Sequence, residues 1–301
     1  MIQKLGKEIT VNNYSLWMLE YANCPTQPVS SIVYSKHNEG VQLLTYTYLV
    51  MKSEDHIAMV DVGYDYQGTN KEKADRFGLI NWQSPKAVLA KIGLAPEEVD
   101  TILLTHAHFD HMGNLNAFPN AHFYMQKKEL YEWHRVFNLE EKFSFLTIAT
   151  DPSDISVADE LVSKGQMTLI EGYVEDILPG ISMLPYYNSH TFGSQMVIIN
   201  NEPEPSKKDR WVVSGDNCFA YENLLGINND GVYVPVGFGF GCMENMISSL
   251  DKMMELTNGK VDRIIIGHEP KTWDHFPSWK TEDGLFVSEL NLAPGQKSFR
   301  K

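Results

Sequence analysis

One seven-residue stretch, Thr105-His106-Ala107-His108-Phe109-Asp110-His111, constrains this chain more than any other. It sets three imidazoles and one carboxylate between His106 and His111, a grouping that no apolar core calls for. Imidazole is largely neutral near pH 7 and is the commonest metal ligand among side chains. A carboxylate among imidazoles suits zinc, iron, manganese or cobalt better than a thiolate-seeking metal. On an extended turn, His106 and His108 point the same way and can share one ion. Asp110 and His111 then fall on the next turn, within reach of a second. The preceding residues, 100–105 (DTILLT), form a short apolar run that reads as a buried strand. The cluster therefore sits at the carboxyl end of a strand, where α/β proteins place their chemistry. A histidine-rich tag would be terminal and would lack both the interleaved aspartate and the strand.

Three further residues repeat the arrangement of apolar strand, small residue or turn, then ligand type. His190 follows 181–185 (ISMLP), Asp216 follows 211–215 (WVVSG) and His268 follows 263–267 (RIIIG). Residues so far apart in sequence must meet in space to act together, and no Pro/Gly/Ser-rich linker divides the chain. One domain over residues 1–301 is the expectation, although the length alone would allow two. Short apolar runs alternate with helical ones, which indicates an α/β class. Strands are predicted at 43–51, 56–62, 102–105, 122–125, 195–200, 211–214 and 263–266. Helices are predicted at 85–92, 127–137, 153–164 and 242–256.

The HxHxDH motif, together with His190, Asp216 and His268, resembles the metallo-β-lactamase superfamily from about Leu43 to past His268. The resemblance implies an αββα sandwich, two mixed sheets flanked by helices. It also implies that His106, His108 and His190 hold one divalent metal ion and Asp110, His111 and His268 a second, with Asp216 bridging them. Zinc is the expected metal, with manganese, iron and cobalt also suited. His108 stands where the flavodiiron branch has a carboxylate. Two ions about 3.5–4 Å apart can share a hydroxide that attacks a carbonyl or phosphoryl centre. Asp110 would then orient the nucleophile or carry a proton to the leaving group.

Within the superfamily the chain looks most like the N-acyl homoserine lactonases, through Ser214-Gly215-Asp216 with an aromatic segment after it and Gly267-His268 near the end. Those lactonases carry a substrate-contacting tyrosine three residues past the bridging aspartate. Here that position is Phe219, and Tyr221, two residues on, is the expected catalytic substitute. The implied activity is a dinuclear metal-dependent hydrolase opening a lactone or related ester. The alternatives are a glutathione thioester of the glyoxalase II type, an aryl ester or ether, or a phosphodiester. A glyoxalase II-like enzyme should carry a basic carboxyl-terminal site, and no Lys/Arg cluster precedes the terminal tail. Residues 218–226 (CFAYENLLG) and 232–241 (VYVPVGFGFG) read as one wall of an apolar pocket for a small apolar or aromatic substrate.

Charge and composition narrow the partners. Asp and Glu outnumber Lys and Arg by 39 to 25, leaving a net charge of -14, which disfavours nucleic acid. No apolar stretch approaches the ~20 residues of a membrane span. No export signal is visible, so a cytoplasmic location is expected. Cys24, Cys218 and Cys242 form neither a CxxC pair nor a disulfide framework. Residues 1–40, with Tyr14, Trp17, Met18, Tyr21 and Tyr34, read as an active-site cover, a homodimer surface or core packing. The alternation in Thr45-Tyr46-Thr47-Tyr48 predicts a strand with one buried face and no functional role. His37, His56, His122, His134 and His275 stand outside any motif and are expected to be structural or exposed.

Overall fold

The structure is a computed structural model that describes residues 13–201 and 210–300. Thirteen strands occur among them. In chain order they are β1 (Ser15–Pro28), β2 (Val41–Lys52), β3 (Ile57–Val60), β4 (Thr101–Leu103), β5 (His122–Gln126), β6 (Met167–Ile170), β7 (Val174–Leu178), β8 (Ile181–Pro185), β9 (Gln195–Asn200), β10 (Arg210–Val213), β11 (Ile264–Ile265), β12 (Ser278–Lys280) and β13 (Phe286–Asn291). They form two sheets, ordered β12-β13-β1-β2-β3-β4-β5-β6 and β11-β10-β9-β8-β7. Both are mixed: β3 through β6 pair in parallel, as do β10 and β11, and the other pairings are antiparallel.

Successive side chains of a strand point to opposite faces, and here both faces are buried. Leu16, Met18, Leu49, Met51, Val60 and Leu103 of the first sheet pack against Met183, Val197, Ile199, Trp211, Val213 and Ile265 of the second. Their neighbours Trp17, Leu19, Val50, Met59 and Ile102 turn outward under helices, meeting Val88, Leu130, Trp133 and Ile155. Met196, Ile198, Val212 and Ile264 do the same on the outside of the second sheet, against Leu250, Met253 and Leu256. The result is an αββα sandwich of two mixed sheets flanked by helices. It explains why the strands read as unbroken apolar runs rather than alternating ones.

The helices start where local chemistry dictates. Ser84 accepts a hydrogen bond from Ala87 N ahead of Pro85–Leu89, and Asp151 accepts one from Ser153 N ahead of Pro152–Ser163. Each has proline in its first turn, where a missing N–H costs nothing. Helix Lys127–Phe137 buries Glu129, Leu130, Trp133 and Val136, a stripe at helical spacing. Helix Met243–Leu256 buries Met246, Leu250 and Met253 in the same way. The run predicted at 85–92 divides into an α-helix and a 3₁₀ turn, Ala90–Ile92.

One expectation narrows and another changes. Residues 15–28 form an interior strand of the large sheet, between β13 and β2, which is the core-packing reading of the segment. Tyr14, Trp17, Met18 and Tyr21 are core residues, whereas Tyr34 is exposed. The part of the segment over residues 1–12 lies outside the described residues. Along Thr45 to Tyr48 both faces are buried, because β2 lies between two cores. Cys24 and Cys218 are buried and Cys242 is exposed, all three as free thiols. Among the described residues no helix is long and apolar enough to cross a membrane.

Two helices are joined by a buried carboxylate. Asn70 Nδ2, on helix Gly68–Phe77, donates to both oxygens of Asp154, on Pro152–Ser163, at 3.1 Å. Burial pushes the Asp154 carboxyl up to about 7. Between roughly pH 4 and 7 the folded chain thus keeps a proton that the unfolded chain releases, so stability falls as pH rises through that window. Asp154→Asn is expected to remove this loss. Its melting temperature should exceed the parent's at pH 8, by an amount corresponding to at most about 4 kcal/mol, and should match it near pH 4. Equal melting temperatures at both pH values would show that Asp154 titrates normally.

Candidate metal centre

The loops that carry the seven sequence-predicted ligands leave the strands at one end of the sandwich. β4 stops at Leu103, and His106 and His108 follow in a short extended stretch. His108 then leads into the helical turn Phe109–Met112, which carries Asp110 and His111. His190 lies between β8 and β9, Asp216 just beyond β10 and His268 just beyond β11. Gly215 makes the turn into Asp216 possible. Its φ is +51°, and a Cβ there would meet the Thr105 Cβ at 3.0 Å.

All seven are buried, and their donor atoms form two adjoining groups: His106, His108, His190 and Asp216, then Asp110, His111, His268 and Asp216. In the first, His108 Nδ1 and His190 Nε2 are 3.0 Å apart, and Asp216 Oδ2 is 3.7 Å from His106 Nε2 and 3.4 Å from His190 Nε2. In the second, Asp216 Oδ1 is 3.1 Å from His111 Nε2 and 3.2 Å from His268 Nε2. Asp110 Oδ2 is 3.4 Å from His111 Nε2 and 3.8 Å from His268 Nε2. Asp216 thus gives one oxygen to each group. Four ligands about 2.0–2.2 Å from a tetrahedral ion are roughly 3.4 Å from one another, so these separations match the edges of two such polyhedra.

Protonation agrees with that reading. Thr105 Oγ1 donates to Asp61 Oδ2 and can therefore only accept from His106 Nδ1, 3.0 Å away. His111 Nδ1 faces Asp61 Oδ2 at 2.7 Å, and His268 Nδ1 faces the Thr45 carbonyl at 2.6 Å. Each partner accepts, so Nδ1 bears the hydrogen in all three rings and Nε2 turns a lone pair to the centre. His106 Nε2, His111 Nε2 and Asp216 Oδ1 are buried with no hydrogen-bond partner. Unpartnered buried acceptors are costly, and a cation satisfies several at once. Burial holds His106 and His108 well below the ordinary imidazole pKa and brings His190 to about 4, so these rings stay unprotonated. Burial alone would also lower His111. Asp216, Asp110 and Asp61 outweigh it and raise that ring instead, and Asp216 and Asp110 raise His268, so at these two Nε2 atoms a cation would take the place of a proton. This donor set fits two divalent cations.

Three residues that sequence reasoning missed hold the cluster in place. Asp61, just past β3, adopts a left-handed φ of 63° and accepts from Thr105 N, Thr105 Oγ1 and His111 Nδ1. Such a conformation in a residue other than glycine costs about 1–3 kcal/mol, offset here by three hydrogen bonds. Glu129 is fully buried. Its Oε1 accepts from Ala107 N at 2.9 Å and Trp133 Nε1 at 2.8 Å, and its Oε2 accepts from Thr191 Oγ1 at 2.9 Å and from Gly193 N. It therefore ties the His106–His108 loop to the His190 loop. Gly193 lies so close to the helix that a Cβ would stand 2.5 Å from Glu129 N. A glutamine here puts an amide N–H₂ against N–H and O–H donors. Glu129→Gln should weaken metal affinity about 10–100-fold, measured by competition with a metal buffer. Unchanged affinity would mean the loops hold their places without it. Tyr46 is the third such residue. The sequence offered only its strand period, yet its ring stands edge-on to His268, with centroids 4.9 Å apart.

The cluster forms the floor of a cleft of about 500 Å³. Phe219, Phe238, Leu44 and Phe77 give it apolar walls, and Thr26, Gln27, Pro28, Ser31 and Arg76 also line it. Phe219 lies edge-on to His268 at 4.8 Å, and Phe238 and Phe240 flank His108. The loop 235–241 is fastened by Gly237 N to Ser31 O and Phe240 N to His190 O. Of the two expected aromatic stretches, Phe219 and Phe238 reach the cleft.

Tyr221 does not, and its expected catalytic role is corrected. It is the first residue of helix Tyr221–Leu225, with its N–H held by Glu269 Oε2 at 2.8 Å. That turn directs its ring away from the metal ligands and against His275, into a separate cavity. The other histidines also stand apart from the cluster. His56 meets Asp100, His122 meets Thr168, His134 meets Asp159, and His37 packs on Tyr34.

Comparison with known proteins extends these findings. Residues 41–268 match the family model of the metallo-beta-lactamase superfamily. An N-acyl homoserine lactonase from Bacillus sp is 25% identical over 240 residues, covering 77% of this chain and 83% of that protein. Among solved structures, the fold resembles an N-acyl homoserine lactone hydrolase with the product N-hexanoyl-L-homoserine bound at its catalytic metal center. The TM-score is 0.60 at 20% identity, covering 88% of this chain and 96% of that one. It also resembles a dizinc quorum-quenching lactonase, with a TM-score of 0.61 at 16% identity, covering 93% and 95%.

Proposed function

The chain belongs to the metallo-beta-lactamase superfamily, and from that premise we propose that it is a dinuclear metal-dependent hydrolase that opens a lactone or a related ester. The observation that carries this reading is the pair of buried donor groups sharing Asp216 at the floor of an apolar cleft. The curated lactonase relatives support the choice of ester chemistry. His106, His108 and His190 would hold one ion, Asp110, His111 and His268 the other, and Asp216 both. Zinc fits this donor set, as do manganese, iron and cobalt. When bound, such a pair supplies an activated hydroxide at neutral pH and a Lewis acid for the ester carbonyl.

The chain's own residues do the rest. Asp216 offsets part of the repulsion between two cations. Asp110 would orient the attacking oxygen or return a proton to the leaving alkoxide. Phe219 and Phe238 exclude water and receive the apolar part of the substrate. Hydrolysis forms a bond from water oxygen to the acyl carbon and breaks the acyl–alkoxide bond. A lactone therefore becomes a hydroxy acid, which releases a proton at pH 7.

Acid release in a weakly buffered indicator assay tests the reading. The protein would be loaded in turn with zinc, manganese and cobalt. The panel would hold acyl homoserine lactones, aromatic lactones, aryl esters, a glutathione thioester and a phosphodiester. Turnover of a lactone class is the expected result. Silence on every lactone alongside turnover of the thioester or phosphodiester would overturn it.

A further inference from the structure

We propose that Tyr46 is a catalytic residue whose phenol hydrogen-bonds the ester carbonyl oxygen as negative charge gathers there. The inference rests on the hydrolase reading above. It starts from a gap in the cleft: Phe219 lies beside the metal ligands with no hydroxyl to offer. Tyr46 lies on a different element, β2, and lines the same cleft. Both rings stand edge-on to His268, at 4.8 Å and 75° for Phe219 and 4.9 Å and 74° for Tyr46. Tyr46 thus carries beside His268 the hydroxyl that Phe219 lacks.

The backbone around Tyr46 is locked to the metal-ligand loop. The Thr45 carbonyl takes the hydrogen of His268 Nδ1 at 2.6 Å, and Thr47 Oγ1 donates to the Gly267 carbonyl at 2.7 Å. Tyr46 lies between these two anchors, so its position relative to His268 is set by two hydrogen bonds and the strand itself. Such preorganisation lets a single donor act on a transition state without reorganising.

The hydroxyl itself is free to act. Tyr21 Oη donates to the Asp110 carbonyl at 2.6 Å, and the hydroxyls of Tyr48 and Tyr64 are buried. Of these neighbouring tyrosines only Tyr46 lines the cleft, and its hydroxyl makes no hydrogen bond to any described residue. Burial, with the Asp110 carboxylate nearby, raises the Tyr46 phenol above its ordinary pKa, so it is a neutral donor at pH 7.

Tyr46→Phe removes one oxygen and keeps the ring that packs on His268. With the lactone or ester that the parent protein hydrolyses best, kcat should fall about 10²-fold. KM, metal content and melting temperature should stay close to the parent's. Adding Phe219→Tyr to that variant should restore at least part of kcat, since it returns a hydroxyl beside the same histidine. A second arm needs no turnover. Phenylphosphonate, a tetrahedral oxyanion, would be titrated into the cobalt-loaded protein by visible absorption, and Tyr46→Phe should weaken its binding about tenfold or more. A parent-like kcat and a parent-like phenylphosphonate affinity in Tyr46→Phe would overturn the assignment. If the parent hydrolyses no member of the panel yet loses phenylphosphonate affinity on Tyr46→Phe, the lactone reading fails and the Tyr46 donor stands.

Discussion

Asp216→Asn is expected to lower bound metal from two ions per chain to one or fewer, and to cut kcat/KM by at least about 10³-fold. Residues one step outside the ligand sphere typically change metal affinity by about 10–100-fold, and Asp216 is more central than any of them. Its two oxygens lie 3.1 to 3.7 Å from the Nε2 atoms of His106, His111, His190 and His268. It is the one residue common to both donor groups. Asparagine has nearly the same shape, so the core around it should tolerate the change. The chemistry does not survive. One oxygen becomes an N–H₂, which cannot ligate a cation and turns its hydrogens toward imidazole lone pairs, and the negative charge that offsets two cations disappears. Metal analysis after gel filtration and the acid-release assay measure the two effects separately. Two ions per chain with parental kcat/KM would show that Asp216 does not hold the two ions together.

The parts of this centre that the sequence displays are those that follow buried strands. β4, β10 and β11 are covered on both faces, so each reads as a compact apolar run, and His106, Asp216 and His268 stand out directly after them. Helix Lys127–Phe137 is equally plain, because one face is buried and the other is not. The strand β1 is harder to see. It carries Glu20 and Asn23 inside an otherwise apolar run, and they are accommodated by each other and by Phe286 N, a partner far away in the chain. The supporting residues are hidden for the same reason. Asp61, Glu129 and Tyr46 are single residues with no local pattern, and each matters through a contact across tens of residues: to His111, to Gly193 and to His268. Tyr221 misleads in the opposite way. It is close to Asp216 in sequence, yet the helix that begins at Tyr221 carries its ring to the other side of the wall. Sequence distance to a ligand therefore predicts a role in the cleft only until the next element starts.

Removing the metal should destabilise the protein strongly. The ion-free centre buries the carboxylates of Asp61, Asp110 and Asp216 among five imidazoles, with several ring nitrogens unpartnered. Burying polar groups without partners costs about 1–3 kcal/mol each, so the empty cluster opposes folding while the cores on both sides of each sheet favour it. An ion that binds only the folded chain adds about 4 kcal/mol when present at a thousand times its Kd, and two such ions add about 8 kcal/mol. For a chain of 301 residues that corresponds to a fall in melting temperature of roughly 13 °C on chelation. The loss should reverse when zinc, manganese or cobalt is returned in twofold molar ratio. Because the ligands must be deprotonated to bind, added metal should raise the melting temperature much more at pH 7.5 than at pH 4.5. Calorimetric scans of chelated and reloaded protein at the two pH values measure this. Superimposable scans with and without metal would mean that the cluster is stable empty, and that its histidines and aspartates pair with one another rather than with cations.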